Sequence, residues 1–256
     1  MNIIGKSECT ASQMAQYLIN KNPNAKSWAL EYAQLYLEEA EAEGVRGDGA
    51  WIQSCKETGN FTFTGGTAVT FDQNNFCGLG VTRKGLKGHS FDTPRLGIRA
   101  QIQHLKGYAT TAPLKNPCID PRYIYVTKGC APRFEDLTGR WAVPGYDTSK
   151  ASSLQDAMNK GIGYGFDIVK GIEEMKKIVV AETPSKYYRI QCGAFSVKAN
   201  ALALQIKLKQ AGFNTTIKQV DNLYKVQLGA FKNKSNAEMF LDTVKSKGFD
   251  AFLTYC

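Results

Sequence analysis

Tyr188-Arg-Ile-Gln-Cys-Gly-Ala-Phe195 returns 36 residues later as Tyr224-Lys-Val-Gln-Leu-Gly-Ala-Phe231. The same offset pairs Lys198 with Lys234, Asn200 with Asn236, Ala201 with Ala237, Gly212 with Gly248 and Phe213 with Phe249. A repeat of this length is one supersecondary unit used twice. Period-two alternation through Ile190 and Cys192, and again through Val226 and Leu228, makes each unit begin as a strand. Helical spacing follows through Ala237, Phe240, Leu241 and Val244, opened by a capping box of Ser235 and Glu238. Gly212 and Gly248 stop the helices, and closing strands fall near 215–220 and 251–255. Two such units give βαββαβ, one sheet with both helices on one face and the other face free. A small α+β domain is therefore expected at residues 187–256, after a joint at 179–186 containing Thr183-Pro184-Ser185.

Working back from there, residues 1–178 read as a mainly α domain. Ala29, Tyr32, Ala33, Tyr36, Leu37 and Ala40 form an amphipathic stripe. Asp48 is placed to cap a short helix through Trp51, Ile52 and Cys55 that ends near Glu57. Thr93-Pro94 opens another, with Ile98, Ile102, Leu105 and Ala109 on one face. A last helix starts at Ser153 and runs toward Met175, interrupted at Gly161, Gly163 and Gly165. Between the helices lie a Gly/Thr-rich segment (62–70) and a long irregular stretch (113–146), the kind of loops on which binding groups concentrate.

Composition narrows the classes. The 43% hydrophobic and 21% charged fractions are enough to build a core, and no run approaches the ~20 apolar residues of a membrane span. Residues 1–10 hold no apolar run of secretory length, so a signal peptide is not expected. Seven cysteines without a Cys-x-x-Cys pair or His partners at metal spacing argue against a disulfide scaffold, a zinc site or a cofactor of that kind. They read as apolar thiols of a reducing compartment. Residues 183–256 carry 11 Lys+Arg against 4 Asp+Glu, so most of the net +9 sits in the tail. Such a domain suits an anionic partner. Nucleic acid lacks the interleaved aromatics it would need, whereas a polyanionic cell wall fits.

The doubled Tyr-x-Ile/Val-Gln-x-Gly-Ala-Phe motif resembles a SPOR domain, the peptidoglycan-binding module of bacterial division and sporulation proteins. That resemblance implies binding of glycan strands on the open sheet face, here through Arg189, Gln191, Lys225 and Gln227. Residues 10–175 resemble the glucosaminidase family of peptidoglycan hydrolases, which have a lysozyme-like helical fold. The matching stretches are Glu43-Gly-Val-Arg-Gly-Asp48, Gln53-Ser-Cys-Lys-Glu-Thr-Gly59, Gln73-Asn-Asn-Phe76, Ala100-Gln-Ile-Gln-His-Leu-Lys-Gly-Tyr108, Asp120-Pro-Arg122 and Gly139-Arg-Trp-Ala-Val-Pro-Gly-Tyr146. The set is most similar to glucosaminidases of clostridial phages and prophages. It implies an endolysin made in the host cytoplasm and released by a holin, acting on wall glycan and not on nucleic acid or membrane.

Glycoside cleavage needs an acid that keeps its proton near neutral pH. The resemblance gives that role to Glu57, and burial at a helix end beside Phe61 and Phe76 would raise its pKa. Asp72, close to Asn75, is the first candidate for the second catalytic group. Asp92 and Asp147 follow, and the substrate's own N-acetyl group is an alternative. Asn74 and Asn75 are expected to bond sugar hydroxyls, with Phe76 as groove wall or core. Tyr108 is similar to the family's active-site tyrosine, and Trp141 and Tyr146 offer faces for stacking on pyranose rings. His89 and His104 have no nucleophile or metal ligand at a suggestive spacing. A muramidase or lytic transglycosylase on the same fold, and a non-catalytic wall-binding protein, remain alternatives.

Overall fold

The computed structural model describes residues 1–64, 68–81, 87–180, 187–231 and 233–255. The chain divides into two compact units, Met1–Val180 and Ala181–Cys256. Residues 181–186 of the expected joint lie outside the described residues.

The first unit is helical: α1 (Ala11–Lys21), α2 (Ala29–Glu43), α3 (Gly47–Glu57), α4 (Pro94–Ala109), α5 (Leu154–Lys160) and α6 (Tyr164–Lys176). The stripe read on α2 is its buried face, with Ala29, Tyr32, Ala33, Tyr36 and Ala40 all in the core. Ile98, Ile102 and Leu105 of α4 are fully buried against the same core, as is Trp51 of α3. Thr93 caps α4 by accepting from the Leu96 N–H, and Ser153 caps α5 by accepting from the Asp156 N–H. Gly161, left-handed at φ +66°, ends α5, and the chain restarts at Tyr164.

Asp48 does not cap α3. The extended residue before the helix is Arg46, and Asp48 lies inside the first turn. Its fully buried carboxylate takes the Arg46 guanidinium at 2.8 Å and the backbone N–H groups of Glu8 (2.7 Å) and Cys9 (3.3 Å). A buried charge has to be matched in this way, so Asp48 ties the N-terminal segment to α3.

Two glycines make room for one residue, Gly49 for its ring and Gly165 for its backbone. A Cβ on Gly49 would lie 2.0 Å from Phe134, and one on Gly165 would lie 1.9 Å from the Phe134 carbonyl oxygen. Phe134, fully buried, thus wedges between α3 and α6, and both helices must present bare backbone to it. This packing sets Tyr164 opposite the end of α3.

The second unit has strands β1 (Tyr188–Phe195), β2 (Thr215–Val220), β3 (Leu223–Phe231) and β4 (Phe252–Tyr255), with helices α7 (Lys198–Gln210) and α8 (Lys234–Ser246). All strand pairs are antiparallel in the order β2-β3-β1-β4. Ile190, Val226 and Leu228 point into a core shared with Ala201, Leu208, Phe213 and Val244, so both helices cover one face. Asp221 and Asn222, both at positive φ, join β2 to β3, as a two-residue hairpin with the favoured twist requires. Asn233, not Ser235, caps α8: its side chain accepts from the Ser235 N–H. Glu238 instead pairs with Lys234 at 3.3 Å.

The two repeats are related by a local twofold. Gln191 and Gln227, equivalent by the 36-residue offset, are direct partners across β1 and β3.

Candidate functional site

Glu57 ends α3 with its carboxyl in a cleft of about 670 Å³. The walls come from separate parts of the first unit. The segment Cys77–Val81 supplies one side, and His104 and Tyr108 come from α4. Arg122, Tyr125, Val126 and Trp141 come from the irregular stretch, and Tyr164 opens α6. Trp141 Nε1 donates to Glu57 Oε1 at 2.8 Å, and the Tyr164 hydroxyl donates to the same oxygen.

Burial pushes the Glu57 carboxyl above its ordinary range, and the bonds from Tyr164 and Trp141 pull it back only in part. The balance leaves an acid readier to hold a proton than a surface glutamate. Removing one donor tips it further. In Tyr164→Phe the carboxyl should titrate at higher pH than in the wild type, readable as the chemical shift of a ¹³C-labelled Glu57 side chain. An unchanged or lower titration point would mean that Tyr164 does not stabilise the ionised form.

The structure gathers some of the expected residues and disperses others. Glu57, Tyr108 and Trp141 line one cleft. Asp72 does not: it is exposed on a single 3-10 turn (Phe71–Gln73) and is not among the cleft walls. The two asparagines are taken up by the loop itself. Asn74 is the left-handed residue ending that turn, and its Nδ2 donates to the Phe91 carbonyl at 2.8 Å. Asn75, 1% exposed, donates to the carbonyls of Leu79 and His89 and accepts from the Leu79 N–H. It folds the Cys77–Val81 wall and has little capacity left for a sugar. Phe76 is wholly core, packed with Phe61 and Tyr32. Tyr146 lines a neighbouring depression together with Lys56, Asp147 and Tyr164.

Tyr164 and the His104–Asp120 pair were missed from sequence. His104 Nδ1 lies 2.6 Å from Asp120 Oδ2, so His104 does have a partner, 16 residues away. For Tyr164 the available signal was the glycine cluster at 161–165, which marks a forced close approach as well as a helix break.

On the second unit, Arg189 and Lys225 are half-buried, whereas Gln191 and Gln227 are only 8% and 5% exposed. The glutamines therefore do not project as an open binding surface. Gln227 Nε2 donates to Gln191 Oε1 at 3.3 Å, and Arg189 Nη1 donates to the Gly229 carbonyl. The bond between the glutamines uses one amide group of each, while Gln227 Oε1 and Arg189 Nε are buried without a partner among the described residues.

Residues 184–255 match the SPOR domain family, so the chain is a SPOR-domain protein with a helical unit before that domain. It is 38% identical over 141 residues to an uncharacterized protein of Borreliella burgdorferi, covering 55% of this chain and 68% of that one, and it belongs to the same family. The aligned length exceeds the SPOR match, so the kinship extends into the helical unit. The chain is also similar to the solution structure of the peptidoglycan binding domain of the B. subtilis cell wall lytic enzyme CwlC. Identity there is 40%, covering 30% of this chain and 99% of that one, with a TM-score of 0.27.

Proposed function

We propose that this protein binds the glycan strands of peptidoglycan through its SPOR domain and cuts them in the cleft of the helical unit. The bond hydrolysed is the β-1,4 linkage after N-acetylglucosamine, with Glu57 as general acid. One observation carries the catalytic half: a carboxyl with a raised pKa, held by two aromatic donors inside a cleft lined by Tyr108, Trp141 and Tyr125. An acid for a departing sugar oxygen needs that proton affinity, and flat rings suit pyranose faces. The wall-binding half is supported by the SPOR family match and by the basic surplus of residues 183–256. Phage-type lysis, with holin-type release, rests on the resemblance of the helical unit's motifs.

A second reading, a non-catalytic wall-binding protein, draws on two observations. The family match lies in the SPOR domain, and Glu57 is the only carboxylate among the described cleft-wall residues.

Product chemistry separates these. Purified sacculi are incubated with the full chain, the new reducing ends are reduced with borohydride, and the fragments are read by mass spectrometry. Reduced glucosamine is the expected result. Reduced muramic acid would indicate a muramidase, and an anhydro end a transglycosylase. Bound but uncut sacculi would indicate the wall-binding reading.

A further inference from the structure

If the cleft cuts glycan with a protein base beside the acid, Asp72, exposed and away from the described walls, is not placed to supply it. The described walls offer one other acid–base side chain backed by a carboxylate, His104. Asp120, 4% exposed, holds the imidazole through Nδ1 at 2.6 Å. Its other oxygen accepts the Arg122 N–H at 2.8 Å, and the Gln103 side chain accepts the N–H groups of Ile119 and Asp120. An ionised carboxylate fixed in this way holds a proton on Nδ1 and leaves Nε2 with a lone pair. Nε2 has no partner among the described residues, and the ring forms part of the cleft wall.

The surroundings join this pair to the acid. Trp141, which donates to Glu57, stands edge-on to the His104 ring at 5.3 Å. Tyr108, one turn along α4, meets it at 5.4 Å. Cys77 from the opposite segment feels the negative charge of both Glu57 and Asp120. Arg122 from the irregular stretch lines the same cleft, and the Lys128 ammonium lies within electrostatic range of Asp120.

We propose that His104, oriented by Asp120, is the base that activates water for glycan cleavage in the Glu57 cleft, which deepens the function proposed above and rests on it. In the step, a water oxygen bonds to the anomeric carbon while one of its protons passes to His104 Nε2. The bond from that carbon to the leaving oxygen breaks with its electron pair on the oxygen, which takes the Glu57 proton. Solvent then removes the imidazolium proton and restores the carboxyl. Because water attacks opposite the leaving group in one displacement, the β linkage gives an α reducing end first.

The test compares the full-length wild type with His104→Asn and Asp120→Asn. The shorter amide introduced by His104→Asn can keep the hydrogen bond to Asp120 but has no basic nitrogen. Cleavage rates are followed across pH, the nascent anomer is read by NMR before mutarotation, and folding is checked by melting and sacculus binding. His104→Asn is expected to lose about 10²–10⁴-fold in rate together with the low-pH limb, the usual worth of a positioned base. Asp120→Asn should also slow cleavage, and the first wild-type product should be α. A His104→Asn enzyme of near wild-type rate with its acid limb intact, or a β first product, overturns the proposal. If His104→Asn fails to fold, full activity in Asp120→Asn overturns it equally. Loss of activity in Glu57→Gln alongside an active His104→Asn defeats this inference only, whereas a wild type that cuts nothing defeats the function itself.

Discussion

Glu57→Gln should abolish glycan cleavage, by about 10⁴-fold at the upper end for a general acid, while leaving sedimentation with sacculi unchanged. Glutamine fills the same space, and its carbonyl oxygen can still accept from Trp141 Nε1 and the Tyr164 hydroxyl. It has no proton to give. The same variant should melt higher at neutral pH. Glu57 has a folded pKa raised by burial, so its contribution to stability is complete below the unfolded pKa and is lost as pH rises through the folded one. The neutral amide avoids that loss. The stability gap between variant and wild type should therefore widen from pH 4 toward pH 8 in thermal melts. An active Glu57→Gln would remove the assigned acid, and a gap independent of pH would show that the carboxyl is not under strain in the folded state.

Glu43→Ala is expected to cost the helical unit about 3–5 kcal/mol, the usual penalty for stripping one partner from a buried ion pair. Its carboxylate is fully buried and accepts from Lys106 Nζ at 2.8 Å and from the backbone N–H groups of Lys115 and Asn116, each at 2.9 Å. The variant leaves an ammonium, itself 4% exposed, and two amide donors without their acceptor. At about 2–4 °C per kcal/mol, the melting point should fall by roughly 10 °C. The dependence on pH has the opposite sign to that of Glu57. Burial alone would raise the Glu43 pKa, but the Lys106 ammonium and the two amides outweigh it and hold it down. Its stabilisation is then present above the unfolded value and is lost as pH falls through the folded one. Wild type and Glu43→Ala should converge in acid, and a melting difference that persists unchanged to pH 2 would overturn the account.

The sequence revealed what is periodic along one dimension. The 36-residue offset specified the second unit down to Ile190, Val226 and Leu228 facing its core, because side chains alternate along a strand, although β1 and β3 shift register near Gly193. The α2 stripe and the Thr93 and Ser153 caps were equally visible. Glu57 was singled out through a resemblance to a family, not through any local pattern. What stayed hidden depends on meetings across the chain. Glu57 and Tyr164 are 107 residues apart, and close approaches of α3 and α6, around Phe134 and between Gly171 and Ile52, bring them together. Asn74 and Asn75 misled because an asparagine that closes a loop and one that binds a sugar use the same atoms. Asp72 misled because nearness in sequence to a motif is not nearness to a cleft. Gln191 and Gln227 look like surface residues by alternation, yet as mutual partners on the two central strands they are covered.

The position of Glu57 at the end of α3 has one more consequence. The carbonyl end of a helix carries the equivalent of about half a negative charge, and an ionised carboxylate there is disfavoured by about 0.3–1 kcal/mol. The polypeptide backbone therefore adds to the retention of the acid's proton. Replacing Trp141 or Tyr164 would tune that retention, but its direction is built into the course of the main chain.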